Sequence, residues 1–177
     1  MIYIIVLGVI FILIFILIFL FILNFSKLKR INIKINEAEN NIDMLLTEKY
    51  IILSKLDKSI KNKTETDFFD GLYNTNIEDL NSFDLNKLLS KYDNAIIELS
   101  NYNNNLEYSE DDLTDFNRLN DVNINRLAAE KFYNDNVVIY NKLINKFPIN
   151  IISKIKGYDK KELFTNEKEE IFEILKN

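Results

Sequence analysis

The run from Ile2 to Leu23 restricts this chain more than any other part of it. It is Ile, Leu, Val and Phe almost throughout, broken only by Tyr3 and Gly8, and it carries no charge. As a helix rising 1.5 Å per residue it reaches roughly 33 Å, enough for a hydrocarbon core about 30 Å thick. A single helix satisfies all of its own backbone polar groups in lipid. The run is therefore predicted to span a membrane. A cleaved signal peptide fits poorly. No basic residue precedes the run, it exceeds the usual apolar region of about 7–15 residues, and Asn24-Phe25-Ser26-Lys27 has no small-x-small site.

The flanks suggest an orientation. Only Met1 precedes the run, whereas Lys27, Lys29, Arg30 and Lys34 follow it. Lys and Arg beside a span favour the cytoplasmic side, so the body of the chain is expected there. Lys27, Lys29 and Arg30 are also candidate contacts for anionic lipid headgroups, each worth roughly 1 kcal/mol near such a surface.

Composition removes whole classes of chemistry. The 177 residues include no His, no Cys and no Trp, and the net charge is −5. With no basic excess to neutralise phosphates, a nucleic-acid partner is not expected. Lack of Cys removes disulfides and thiolate chemistry. Lack of His removes zinc sites of ordinary type, the Ser-His-Asp triad and the carboxylate-histidine di-iron site of some helical bundles. No cofactor is indicated, and whether a small molecule binds is open. Three Gly and one Pro leave the backbone little punctuated, which favours long helices over a turn-rich sheet.

From Leu28 the apolar residues recur at intervals of three and four: Leu28, Ile31, Ile35, Ala38, Ile42 and Leu45, then Lys49, Ile52 and Leu56. This is a heptad seam with one polar interruption. Ile31 to Ile35 alternates like a strand, but the seam passes through without a change of phase. No Gly or Pro separates seam from span, so one continuous helix is predicted, projecting from the bilayer as a stalk. If that seam exceeded what the bundle covers, the chain would self-associate through residues such as Ile35 and Ile42.

The pattern fails between Lys61 and Asn76, a connection in which Phe68, Phe69, Leu72 and Tyr73 are expected to cap the core. A second helix should start near Asn76, with Asp79 three residues on, and bury Ile77, Leu80, Leu88, Tyr92, Ala95, Ile96 and Leu99. The Asn101–Asn105 cluster ends it. Ser109, with Asp112 three residues later, looks like the cap of a third helix from Glu110 to Lys146. Pro disfavours helix in the residue before it, so this helix stops at Phe147-Pro148. Pro148 opens a short helix through Ile149, Ile151, Ile152 and Ile155, and Gly157 ends it. A last turn capped at Thr165 or Asn166 would carry Ile171, Phe172, Ile174 and Leu175.

Within the third helix Tyr133-Asn134 and Tyr140-Asn141 repeat at a spacing of seven, with Val137 on the same side, and Phe147-Pro148 follows. The stretch Arg126 to Phe164 carrying these residues, followed by the apolar Ile149 to Ile155 and Phe164, resembles the C-terminal signature of the bacterial LemA family. The resemblance implies an all-α protein, in which a transmembrane helix continues into an elongated antiparallel bundle of three long helices and a short C-terminal one. It divides the chain into an anchor at 1–24, a bundle at 25–158 and a charged tail with a short amphipathic helix at 159–177. Two departures stand out. Glu107-Tyr108 is followed by Ser109 where the family often has Pro, and Glu130 stands where a basic residue commonly precedes the first Tyr-Asn. The family implies no reaction.

Read from the residues, Tyr133 and Tyr140 bury their rings, Asn134 and Asn141 fix register in the seam, Phe147 packs and Pro148 turns the chain. A ligand-binding Tyr/Asn face is the alternative. Glu107, Glu110, Asp111, Asp112 and Asp115 gather at a helix start, where acids are favoured by the dipole. That makes a solvated cap the expectation over a cation or acid/base site. Three functions follow. The first is a membrane-anchored scaffold or adaptor acting by self-association or on another membrane protein. The second is a His-free hydrolase or lipid-acting enzyme using carboxylates with Tyr133 or Tyr140 in a bundle cavity. The third is an exported bundle contacting cell wall or host surface.

Overall fold

A computed structural model describes residues 1–63, 69, 72, 76–101 and 108–164, without the side chains of 94, 95 and 97–101. Its regular elements are helical: α1 (Ile2–Lys61), a 3-10 turn (Ile77–Asp79), α2 (Ser82–Asn101), α3 (Glu110–Ile144) and α4 (Ile149–Lys156). No strand occurs among the described residues. The expected continuity holds, since α1 runs 60 residues without a break from the apolar run through the seam. Its apolar segment has a mean hydropathy of 3.7 and no part of it is buried by protein, so α1 contains a helix long and apolar enough to cross a membrane. At the end of the run Asn24 donates from Nδ2 to the Leu20 carbonyl at 2.8 Å, so even its amide is satisfied within the helix.

The chain forms two compact units, one of residues 38–131 and the other of residues 1–37 with 132–177. In the first, α1 and α3 run antiparallel. Arg118 donates from Nε to Glu48 at 2.6 Å and Lys63 donates to Asp112 at 2.7 Å, so rising numbers on one helix meet falling numbers on the other. The core comprises Ile42, Leu46, Leu53, Leu56 and Ile60 of α1, Leu85, Leu89 and Tyr92 of α2, and Leu119 and Val122 of α3. Phe69 and Leu72 are fully buried there, and the Phe69 ring lies 5.9 Å from that of Tyr92. Phe68 and Tyr73 lie outside the described residues, as do the proposed last turn after Phe164 and the side chains of Ala95 and Leu99.

The seam is buried from Leu28 to Ile60, but not at every expected position. Leu46, not Leu45, is the fully buried residue between Ile42 and Lys49. A straight helix turns once per 3.6 residues and drifts about 20° per heptad, so the covered stripe slides one residue along the chain. From Ile42 it reads Leu46, Lys49, Leu53, Leu56, Ile60. Ile35 and Ile42 are completely buried inside this single chain, so they offer no surface for a second copy.

Caps explain where the helices begin. Ser109 and Asp112 form a reciprocal box: the Asp112 N–H donates to Ser109 Oγ at 3.1 Å, and the Ser109 N–H donates to Asp112 Oδ2 at 2.9 Å. The second helix starts later than its sequence suggested. Asn76 caps only the 3-10 turn, Leu80 is extended, and Asn81 caps α2 by accepting from the Asp84 N–H at 3.0 Å. Ile77 and Leu80 are consequently half-buried outside the helix, and its buried face is Leu85, Leu89 and Tyr92, with Leu88 and Ile96 at the margin. Two Asn-x-x-Asp boxes five residues apart compete for one helix start, and the second wins.

In the other unit the buried residues include Leu28, Ile31 and Ile35 of α1, Tyr133, Val137, Tyr140 and Ile144 of α3, and Ile149. The helix α3 ends at Ile144, and Pro148 and Gly157 bound α4 as expected; Gly157 holds φ 66°, a left-handed conformation glycine adopts freely. One expectation fails here. Phe147 is 59% exposed and does not pack.

The shifted seam gives a direct test. Leu46→Ala should lower the unfolding free energy by about 2–5 kcal/mol, as a fully buried leucine does. Leu45→Ala should cost less than half as much. Urea unfolding of the detergent-solubilised chain, followed by circular dichroism, measures both; equal losses would contradict the shifted stripe.

Candidate functional site

The Tyr-Asn repeat builds a clasp along α3. The Asn134 side chain donates from Nδ2 to the Phe164 carbonyl at 2.8 Å and accepts from the Phe164 N–H at 2.9 Å. Asn141 does the same with Lys161, at 2.9 and 3.0 Å. A carboxamide offers one donor and one acceptor side by side, the arrangement a peptide group needs. Seven residues of helix advance about 10.5 Å, and three residues of extended chain about 10 Å. Residues 161 and 164 therefore meet both amides at once, running antiparallel to α3. Tyr133 is buried beside this clasp, its ring edge-on to Phe164 with centroids 5.0 Å apart. Residues 161–164, which their sequence placed beyond the bundle, are thus fastened to it. Asn134 and Asn141 set the register of an extended segment rather than of a helical seam.

A second constellation lies in the unit of residues 38–131 and joins three helices. The polar interruption Lys49 of α1 is buried and donates from Nζ to Asp93 of α2 at 2.5 Å. Arg126 of α3, also buried, donates from Nη1 to Asn86 of α2 at 2.8 Å and to Glu130 one turn on at 2.5 Å. Burial lowers the pKa of the Lys49 ammonium, against the pull of Asp93. Burial raises that of the Glu130 carboxyl, against Arg126 and Lys49. Two cations and two anions balance, so the group is neutral as a whole. Its sequence showed only Lys49 in an apolar seam and Glu130 three residues before the first Tyr-Asn pair. The charge complement was present in the four-residue spacing of Arg126 and Glu130.

The expected acidic cap is only partly solvated. Glu110 and Asp111 are exposed, but Asp112 is buried, and Glu107 lies outside the described residues. Burial tends to raise the Asp112 pKa, but hydrogen bonds from Lys63, Ser59 and Ser109 outweigh it and hold the carboxyl well below the usual range. Among the described residues no group of three or more acids is placed to hold a metal ion. Ser82 donates to Asp43, a further tie between α2 and α1.

Tyr140 lines a shallow groove of about 170 Å³ with Leu28, Lys29, Asn32, Ile33 and Tyr158. That is below the roughly 300–1,000 Å³ of common ligand sites, and no carboxylate lines it. Burial, with Tyr158 and Asp159 nearby, raises the Tyr140 pKa, which works against a base or nucleophile. Of the basic residues just after the apolar run, Lys29 sits with its Nζ 5.0 Å from the Phe25 ring centroid, and Lys27 and Arg30 are exposed.

These features define an all-α protein whose first helix carries a membrane-length apolar segment and whose bundle is held by side-chain clasps and a buried charge group. The model of the LemA family matches residues 98–174, a stretch that contains the whole Arg126–Phe164 run, so this part of the chain is similar to that family. No curated protein and no solved structure matches the chain.

Two outcomes are expected from this geometry. Asn134→Ala should speed amide hydrogen exchange at Phe164, and Asn141→Ala at Lys161, each with a stability loss of about 1–2 kcal/mol. Unchanged protection at both amides would show that the clasp does not hold the segment. Because the Asp112 pKa is depressed in the folded chain, the unfolded chain takes up this proton first as pH falls through about 3.8. The stabilising contribution is present above that pH and is lost below it. Asp112→Asn should flatten that acid limb in urea titrations at successive pH values.

Proposed function

We propose that this is a single-span membrane protein whose bundle lies on the cytoplasmic side and acts by binding, as a scaffold or adaptor for a second copy or another membrane protein. The observation that carries this reading is α1, one unbroken helix that holds both the apolar run and the core seam of the bundle. Whatever the bundle binds is thereby held at the bilayer. The basic flank Lys27, Lys29, Arg30 and Lys34 favours the cytoplasmic side.

Binding surface is available on the outside of the bundle. Met44 and Ile51 of α1, seven residues apart on one face, are 71% and 49% exposed, and Ile124 and Leu127 of α3 are exposed as well. Apolar rows at helical spacing are a common basis for helix partnering. The buried polar side chains described above are engaged with one another or with backbone, which gives them structural work to do.

Met44→Asp combined with Ile51→Asp should abolish cross-linked species in native membranes while leaving helicity unchanged. Ile35 and Ile42 are unsuitable positions for this test, because they are core residues. Persistence of the same cross-linked bands would sink the reading that this row is the contact. Protease treatment of intact and permeabilised cells tests the side: the bundle should be cut only after permeabilisation.

A further inference from the structure

The helix α4 turns an apolar face away from the side it buries. Ile149 and Ser153 are buried against the unit, whereas Ile151 and Ile155, one turn apart on the opposite side, are 52% and 77% exposed. Phe147 just before it is also exposed. The only charges in α4 are Lys154 and Lys156, in a chain of net charge −5. Its position is fixed by contacts within the same unit. Lys156 Nζ lies 5.9 Å from the centroid of the Phe25 ring, and Phe25 in turn stacks on Phe21 of the apolar run at 5.6 Å. Tyr158, directly after α4, shares a groove with Leu28 and Lys29. The end of α4 is therefore level with the end of the apolar run.

We propose that α4 is an interfacial helix, with Phe147, Ile151 and Ile155 set among the headgroups and upper acyl chains of an anionic bilayer and with Lys154 and Lys156 on the lipid phosphates. Short basic helices with one apolar face bind membranes in this way, and lysine stems can lie along the apolar boundary while their ammonium groups reach the phosphates. The lipid assignment follows from continuity with the apolar run and from charge. A second copy docked on the same face would bring like lysines together. The proposal rests on reading Ile2–Leu23 as a membrane span.

Absence of Cys from the chain makes a site-specific test simple. Full-length Ile155→Cys carrying an environment-sensitive dye is reconstituted into vesicles of phosphatidylcholine and phosphatidylglycerol in equal parts. Lys55→Cys, on the bundle surface, and Phe15→Cys, in the apolar run, are labelled in parallel. The dye at 155 should emit to the blue of that at 55, resist aqueous iodide several-fold better, and be quenched by lipids bearing a nitroxide near the headgroup. Iodide access equal to that at 55, with the dye at 15 still quenched by nitroxide lipid, overturns the interfacial helix and leaves the span intact. Protection from both quenchers means that protein covers the face, which also overturns it. If the dye at 15 is not quenched by nitroxide lipid, the span reading fails and this proposal fails with it.

Discussion

An ammonium group inside an apolar helix seam has to bring its counter-charge with it. Lys49 does so through Asp93, and that requirement joins α1 to α2; Arg126 then ties α3 to α2 through Asn86 and carries Glu130 with it. Such a group adds little net stability over well-packed apolar side chains, because desolvation offsets most of the Coulomb gain. Its effect is on alignment. Apolar contacts resemble one another from turn to turn, and a slip of one turn, about 5.4 Å, would leave leucines against leucines. The same slip would strand a buried charge, a loss of about 3–5 kcal/mol. The three helices therefore have one register in which all the charges are met.

The clasp on the C-terminal part of α3 solves a similar problem without charge. An extended segment lying on a helix has no ladder to join, so its buried N–H and C=O groups need side-chain partners. Asn134 and Asn141 supply one donor and one acceptor each. The spacing of seven is what makes this work. It keeps both amides on one face and matches the rise of three extended residues; a spacing of six or eight would rotate one amide by about 100° off that face. Tyr133 completes the arrangement by burying its ring edge-on against Phe164.

Much of this was legible in the sequence, and the exceptions share a cause. The unbroken α1, the Ser109–Asp112 box and the bounds of α4 at Pro148 and Gly157 are local signals, fixed by residues a few positions apart. The same holds for the Tyr-Asn repeat and Phe147-Pro148, which lie within Arg126–Phe164. What escaped was non-local. Asp93 lies 44 residues from Lys49, and Phe164 lies 30 from Asn134, so neither pairing leaves a periodic trace. The choice of Leu46 over Leu45 depends on accumulated drift between a heptad pattern and a 3.6-residue turn. Phe147 looked like core because aromatic residues usually are, yet it stands beyond the end of α3 and is exposed.

The exposure pattern along α1 changes character at the end of the apolar run. Through the apolar run, side chains on every face are uncovered by protein; from Leu28 onward burial returns with helical period. A helix apolar around its whole circumference has no face to prefer in water, whereas a striped one does. The change is complete within about one turn, at Asn24 to Leu28. There the Asn24 amide bonds back to its own helix, the Phe21 and Phe25 rings stack, and Lys29 and Lys156 approach Phe25. Aromatic rings and lysines at this point are the side chains that tolerate an apolar medium at one end and water at the other. The position of these residues, more than the length of the apolar run, marks where the all-round apolar helix gives way to the striped one.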